Sequence, residues 1–156
     1  MENTFTVLFS CSEDRKVDPK SRVAVLSDWP IAHGAKLWML QAENKKNRVL
    51  KCYTKETFES MVQEIQQVCD ERGISPARKK AYIGDIIARS KPVEVNSQGK
   101  LLIPKISKEY LHLQEYATLV GRGEYFEIWE KDTYDTYMAA SDMADNELEK
   151  IFGIFT

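Results

Sequence analysis

Short aliphatic runs punctuated by polar turns fill the first and last thirds of the chain, and a helical period occupies the middle. Residues 5–9 alternate apolar side chains with threonine and predict a strand. Residues 10–16 are polar and charged and read as a loop or short extended arm. Val23-Ala24-Val25-Leu26 predicts a buried strand, broken by Asp28-Trp29-Pro30, with Trp29 anchoring the next segment to the core. Residues 35–40 and 48–53 predict two further strands across an exposed turn at Glu43-Asn44-Lys45-Lys46-Asn47.

The period then lengthens. Phe58, Met61, Val62, Ile65, Val68 and Cys69 recur every three or four residues, which predicts a helix from Lys55 to about Arg72. Thr54 is its expected cap and Gly73 its stop. Ser75 then caps a second helix with Pro76 at its first position, where the missing N–H is harmless. That helix carries Arg78-Lys79-Lys80 near its start, turns Ile83, Ile86 and Ile87 inward and ends near Ser90. Residues 93–95 and 101–103 return to strand character, with Pro104 closing the second run. A short helix is expected over 107–113, then a hairpin of 116–120 with 125–129 across Gly121-Arg122-Gly123-Glu124, where two glycines supply positive φ. Asp132 is expected to start a terminal helix reaching about Met143, continued over 145–150 and followed by an apolar tail, Ile151-Phe152-Gly153-Ile154-Phe155.

The pattern repeats itself. Asp18-Pro19-Lys20-Ser21-Arg22-Val23-Ala24-Val25 aligns with Asn96-Ser97-Gln98-Gly99-Lys100-Leu101-Leu102-Ile103, 78 positions later at Asp18/Asn96, Arg22/Lys100 and Val25/Ile103. Tyr53-Thr54-Lys55-Glu56-Thr57-Phe58-Glu59 aligns with Trp129-Glu130-Lys131-Asp132-Thr133-Tyr134-Asp135, now 76 positions later. Two ordered matches make the chain a duplicated unit.

Composition adds two constraints. Cys11, Cys52 and Cys69 are odd in number and widely spaced, which argues against a disulfide framework and for a reducing cytoplasm. Met1-Glu2-Asn3-Thr4-Phe5 lacks the basic-then-apolar layout of a signal peptide, and no apolar run reaches membrane-spanning length. The net charge of −2 conceals an asymmetry: between Arg15 and Lys108 stand 19 basic and 10 acidic residues, and outside that span 3 basic and 14 acidic. A basic body with an acidic remainder hints at a polyanion partner.

Candidate chemistry is sparse. His33 and His112 lie far from any cysteine or carboxylate cluster, so metal-ligand spacing fails. No P-loop, dinucleotide fingerprint or nucleophile elbow is present. Gly121-Arg122-Gly123 lacks a third glycine and reads as a turn, and Asp142/Asp145 reads as a solvated face. Nothing points to catalysis, a cofactor or a metal.

The duplicated turn resembles the Asp-x-x-Gly-Arg-x-x-Ile-Pro pattern of the AbrB-type swapped-hairpin transcription factors, and two copies in one chain resemble the MraZ family. Glu109-Tyr110-Leu111-His112-Leu113, Leu119-Val120-Gly121 and Phe126-Glu127-Ile128-Trp129 are similar to that family as well, so the resemblance spans roughly residues 9–137. It implies an α+β fold in which two tandem AbrB-like β-hairpin repeats interlock into one small double-psi-like barrel with helices outside. The expected divisions are a first repeat with its following helix at 5–72, a connecting helix at 73–92, a second repeat with its terminal helix at 93–143 and a tail at 144–156.

The resemblance further implies a DNA-binding transcriptional regulator, a repressor at the promoter of the cell division and cell wall gene cluster. It would work as a homo-oligomeric ring on double-stranded DNA with repeated short half-sites, in the cytoplasm and on the nucleoid. It nominates Arg22 and Lys100, with Lys20 and Gln98 in the same turns, as DNA-facing. Arg15 and Lys16 join by proximity, and Asp18, Asn96 and Gly99 shape the turns. Copy one carries Ser21 for glycine and Leu26 for proline, and copy two carries Asn96 for aspartate and Lys100 for arginine. Arginine grips a phosphate or guanine edge through two bonds, whereas lysine acts as a point charge. An alternative reading is a divergent relative that keeps the fold and assembly but serves as a protein-interaction module.

Overall fold

The computed structural model describes residues 8–31, 33–140 and 145–155. In chain order its elements are β1 (Ser12–Lys16), β2 (Arg22–Ala24), β3 (Lys36–Asn44), β4 (Asn47–Thr54), α1 (Lys55–Glu71), α2 (Pro76–Ala88), β5 (Ser90–Glu94), β6 (Lys100–Leu102), α3 (Lys105–Leu111), β7 (Tyr116–Gly121), β8 (Tyr125–Glu130), α4 (Lys131–Ala139) and α5 (Asn146–Phe152). The class is mixed α and β, with every strand pairing antiparallel.

Strand exchange governs the topology. Six strands form one sheet in the order β1-β7-β8-β4-β3-β5, and β2 with β6 forms a separate two-stranded ribbon. The early strand β1 therefore pairs with the late strand β7, and β5 pairs back with β3. The registers obey a local two-fold. Ser12 opposes Val120 at one edge and Ser90 opposes Leu40 at the other, so β1 maps to β5 at 78 positions and β3 to β7 at 80. Leu37 opposes Thr54 and Ala117 opposes Glu130, which places β8 76 positions after β4. On the axis the pairings map onto themselves: Leu50 with Ile128 and Cys52 with Phe126, then Arg22 with Leu102 and Ala24 with Lys100.

The described strands do not close into one barrel ladder. β1 and β5 remain edges of the sheet, protected in different ways. Four of the five β1 residues are exposed and four of them are charged, while β5 carries Pro92, which cannot donate to a neighbour. The polarity that suggested a loop over residues 10–16 is thus the polarity of an edge strand. Predicted strand residues 5–7 lie outside the described residues, and Phe9 makes an isolated bridge to Gly123.

The main core lies between sheet and ribbon. Val23 and Leu101 point inward from the ribbon against Leu37, Met39, Leu50, Leu119 and Ile128. Trp29 fills one end, its ring 4.6 Å from Phe126 and 5.4 Å from Phe9, while its indole N–H donates to the Ser10 carbonyl at 2.6 Å. Two smaller clusters seat the helices that follow β4 and β8: Phe58 on Leu40 and Tyr53, and Tyr134 on Trp129 and Val49. Trp38 is only half-buried and stacks on Phe58 at 5.6 Å. Burial pushes the Cys52 thiol well up, and all three cysteines are free.

Several boundaries depart from expectation for local reasons. At the turn between β3 and β4, β3 runs four residues further and β4 starts one residue earlier than expected, because that turn needs only Lys45 and Lys46, both at positive φ. α1 begins at its expected cap, where Thr54 Oγ1 accepts from the Thr57 N–H and Thr57 answers the Thr54 N–H. Ser75 and Pro76 open α2 as expected, but Ile87 is 53% exposed rather than inward. α4 is capped by Glu130, the two-fold counterpart of Thr54, rather than by Asp132. It ends at Ala139, where Ala140 turns extended, so α5 is a separate helix capped by Asp145 and not a continuation. The expected end near Met143 and residue Asp142 lie outside the described residues.

Gly123 has positive φ (84°), but Gly121 does not. Gly121 is required by close approach instead: a Cβ there would sit 2.5 Å from the Phe9 carbonyl carbon and the Ser10 nitrogen. Both are backbone atoms, so a flexible side chain cannot relieve the clash. Gly121→Ala is expected to lower the denaturant midpoint of the full chain by an amount equivalent to at least ~1–3 kcal/mol, the usual overpacking range. Gly153→Ala, beside open space at φ 59°, should change it by less. Equal effects would discount the close approach.

Candidate nucleic-acid interface

The two copies of the repeated turn fold alike. In the first, Asp18 Oδ1 accepts from the backbone N–H groups of Lys20 at 2.9 Å and Arg22 at 2.8 Å. In the second, Asn96 Oδ1 accepts from Gln98 at 2.9 Å and Lys100 at 3.0 Å. A short side chain that bonds the backbone two residues on is the mechanism by which aspartate and asparagine set turns. Ser21 and Gly99 take the left-handed position, at φ 63° and 74°. Glycine is at ease there, whereas serine is strained; Ser21 Oγ in addition accepts from Lys108 Nζ at 2.8 Å. Cross-bonds then lock the turns together: Ile103 N–H donates to the Ser21 carbonyl at 2.8 Å and Val25 N–H to the Gly99 carbonyl at 3.0 Å.

The copies differ in charge pairing. Arg22 Nε donates to Asp18 Oδ2 at 2.8 Å, forming a half-exposed ion pair. Asn96 offers Lys100 no such partner. The Asp18 carboxyl is held below the usual carboxylate range, chiefly by the Arg22 backbone N–H; desolvation is the next largest effect and opposes it, while the Arg22 guanidinium and the Lys20 N–H lower it further.

β2 and β6 present these side chains in a strict alternation. Val23 and Leu101 face the core, so Arg22, Ala24, Lys100 and Leu102 face outward. The register sets Arg22 opposite Leu102 and Lys100 opposite Ala24, which puts Arg22 and Lys100 on diagonal corners of one outer face. Lys20 and Gln98 stand exposed at the tips of the two turns. Clefts flank that face. One of about 760 Å³ runs between the first turn and α3 past Lys20, Lys105 and Lys108, and one of about 710 Å³ between β5 and the second turn past Arg22, Lys91, Lys100 and Lys105. Glu109 and Glu94 are the carboxylates lining them, against six cations.

Not every nominated residue joins this face. Arg15 is committed elsewhere: its Nε donates to the Ala24 carbonyl at 3.0 Å and its Nη2 meets Glu13 at 2.7 Å. Lys16 reaches Glu115 at 3.7 Å. Conversely, Lys91, Lys105 and Lys108 line the clefts without having been singled out. They lie outside the repeated motif; the only signal was their closeness to Pro92 and Pro104. Of the Arg78-Lys79-Lys80 cluster, Lys79 pairs with Asp70 at 2.8 Å. Among the described residues no group of three or more histidines, cysteines and carboxylates could hold a metal ion, and no helix is long and apolar enough to cross a membrane.

The family model described as "MraZ protein, putative antitoxin-like" matches residues 86–152. The chain is 29% identical over 136 residues to a "Transcriptional regulator MraZ" of Coxiella burnetii (strain RSA 493 / Nine Mile phase I), covering 86% of each chain. It is 24% identical over 141 residues to the protein of that name from Bifidobacterium longum (strain NCC 2705), covering 87% of this chain and 89% of the other. The chain resembles the MraZ family. A further MraZ relative, from Legionella pneumophila (strain Paris), is 23% identical over 122 residues, 77% of this chain and 78% of that one. The family model reaches across the second turn and the β7–β8 hairpin, while the relatives extend the likeness over most of the chain.

The unequal turns yield a pH prediction. With its carboxyl lowered in the folded state, Asp18 stabilises the fold above its unfolded value near 3.8. That contribution is lost as pH falls through the lower folded value. Asp18→Asn, which recreates the second turn, should keep both backbone hydrogen bonds. It should lower stability at pH 7 yet lose less stability between pH 5 and pH 2 than the unsubstituted chain. Parallel acid-denaturation curves for the two would show that Asp18 has no linked proton.

Proposed function

We propose that this MraZ-like chain is a sequence-specific DNA-binding transcriptional regulator that works as a homo-oligomer. One observation carries the reading: a local two-fold places Arg22 and Lys100 on the outward face of one β-ribbon, bordered by Lys20, Lys91, Lys105 and Lys108. A two-stranded β-ribbon fits the major groove of B-form DNA, where arginine and lysine reach guanine O6 and N7. The lysines of the clefts would neutralise phosphates on either side, which positions the ribbon without reading sequence.

Arg22 is the base-reading candidate, preorganised by Asp18, and Lys100 supplies charge with less geometric discrimination. Gln98 and Lys20 reach from the turn tips. Arg15 supports β2 rather than DNA. A single copy offers few reading groups, so affinity would come from several copies, arranged as a ring, engaging repeated short half-sites at high effective concentration. The setting is the bacterial cytoplasm and nucleoid, and the role repression of the cell division and cell wall gene cluster. The interlocked strands support treating residues 5–72 and 93–143 as the two repeats, with 73–92 as a connector.

The test is fluorescence anisotropy with a duplex from upstream of the chain's own gene and a scrambled duplex, across a salt series. Lys100→Ala should weaken binding to both duplexes and reduce the slope of log affinity against log salt by about 0.9 for each phosphate contact removed. Arg22→Lys should lower the ratio of specific to scrambled binding more than it lowers scrambled binding. Unchanged affinities and slopes in both folded variants would remove this face from the site. An intact oligomer that binds neither duplex would favour the protein-interaction module.

A further inference from the structure

α5 and the residues after it form an amphipathic segment with none of the described residues packed on its apolar side. Leu148, Ile151, Phe152 and Phe155 recur at the helical spacing of three and four and are 53%, 71%, 66% and 75% exposed. The segment is ordered locally: Asp145 caps the Leu148 N–H at 3.0 Å, and the Glu149 carboxylate accepts from the N–H groups of Ile154 and Phe155 at 3.0 Å each. Asp145, Glu147 and Glu149 against Lys150 make it net negative. The described residues of its own copy leave the apolar side open, which makes it a surface for a second copy.

The cleft between the first turn and α3 is the complementary surface. Its floor is apolar, with Leu102 (52% exposed) and Pro104, and its walls carry Lys20, Lys105 and Lys108. The cleft's volume of about 760 Å³ lies within the range of sites that enclose a ligand group of several rings or branched side chains. A seven-residue helix spans about 10 Å, and its basic counterpart spans the β-ribbon and α3. Apolar face meets apolar floor and carboxylates meet lysines. The acidic surplus outside residues 15–108 and the basic surplus within it become one interaction.

We propose that residues 145–155 of one copy dock in the cleft between β6 and α3 of a second copy, with Ile151 and Phe152 on Leu102 and Pro104 and the carboxylates toward Lys20, Lys105 and Lys108. The docked segment covers one flank of the outward β-ribbon. It therefore competes with a polyanion for the same lysines, and this second consequence rests on the DNA-binding reading above. Copies in contact would hold the face closed until nucleic acid displaces the segment.

The two parts are tested separately in the full chain. A photoreactive benzoylphenylalanine in place of Phe152 should, on irradiation without DNA, crosslink two chains through peptides spanning residues 101–114. Crosslinks confined to the same chain, or leading to α1 and α2 of a neighbour, overturn the docking whether or not the protein binds DNA. The double variant Ile151→Ser with Phe152→Ser should abolish the crosslink formed from a benzoylphenylalanine at Leu148 and leave the far-UV circular dichroism spectrum unchanged, since both side chains are exposed within their own copy. The same variant should bind duplex DNA more tightly, by roughly three- to tenfold if a third to a tenth of the clefts are otherwise open. Loss of the crosslink with unchanged DNA affinity overturns the competition, and a preserved crosslink overturns the contacts assigned to Ile151 and Phe152. Absence of DNA binding in every variant counts against the DNA reading and leaves the crosslink result to decide the docking.

Discussion

The fold depends on strand exchange between its two halves. β1 has its hydrogen-bond partner in β7, and β5 has its partner in β3, so neither half can satisfy its first strand alone. Unpaired backbone groups in a buried setting are expensive, and the ribbon makes the same demand, because among the described strands β2 and β6 ladder with each other, with one further bridge from Leu101 to Val95. The consequence is one structural unit built from two sequence repeats. The pairings on the axis, Leu50 with Ile128 and Val23 with Leu101, also bring the cores of both halves together.

The same exchange builds the candidate interface. Each turn is local, held by Asp18 or Asn96 to its own backbone, but neither turn alone makes a surface. Only when Ile103 donates to Ser21 and Val25 to Gly99 do Arg22 and Lys100 arrive on one face. The two-fold is imperfect in chemistry. Replacing aspartate by asparagine preserves the turn and frees the lysine, whereas serine in the glycine position is tolerated at positive φ beside a lysine bond from α3. Among the described residues α3 has no helical counterpart after β2, so the flanks of the ribbon differ, and Lys105 and Lys108 together line the cleft beside the first turn.

Polar burial elsewhere serves rigidity rather than function. Glu127 is fully buried, yet it accepts from Arg122 Nε at 2.8 Å, Trp129 Nε1 at 3.0 Å and Asn44 Nδ2 at 3.1 Å. A buried carboxylate is tolerable only with such a set of donors. It ties the tip of the β3–β4 hairpin to the β7–β8 hairpin, across the seam where the halves meet, and so supports the platform on which the ribbon sits.

Much of this was legible in the chain. The spacing of Phe58, Met61, Val62 and Ile65 determined α1, and Thr54 and Ser75 determined where α1 and α2 start, because capping and helical period act over a few residues. The repeat was visible too: the offsets of 78 and 76 positions between matching motifs reappear as strand registers. Asp18, Asn96, Arg22 and Lys100 could be singled out since turn chemistry is local. What the sequence did not carry was partnership. Residues 10–16 read as a loop because an edge strand needs no apolar alternation on its solvent side. Gly121 read as a turn glycine because the backbone of Phe9 comes against it only after exchange. The bond from Arg15 to the Ala24 carbonyl could not be read from the chain, and Lys91, Lys105 and Lys108 come beside Arg22 and Lys100 only when β5 and α3 are set around the ribbon. Local free energies determined the elements and the turns; which distant strand satisfies each open backbone group, and therefore which charges share a face, was decided by tertiary structure.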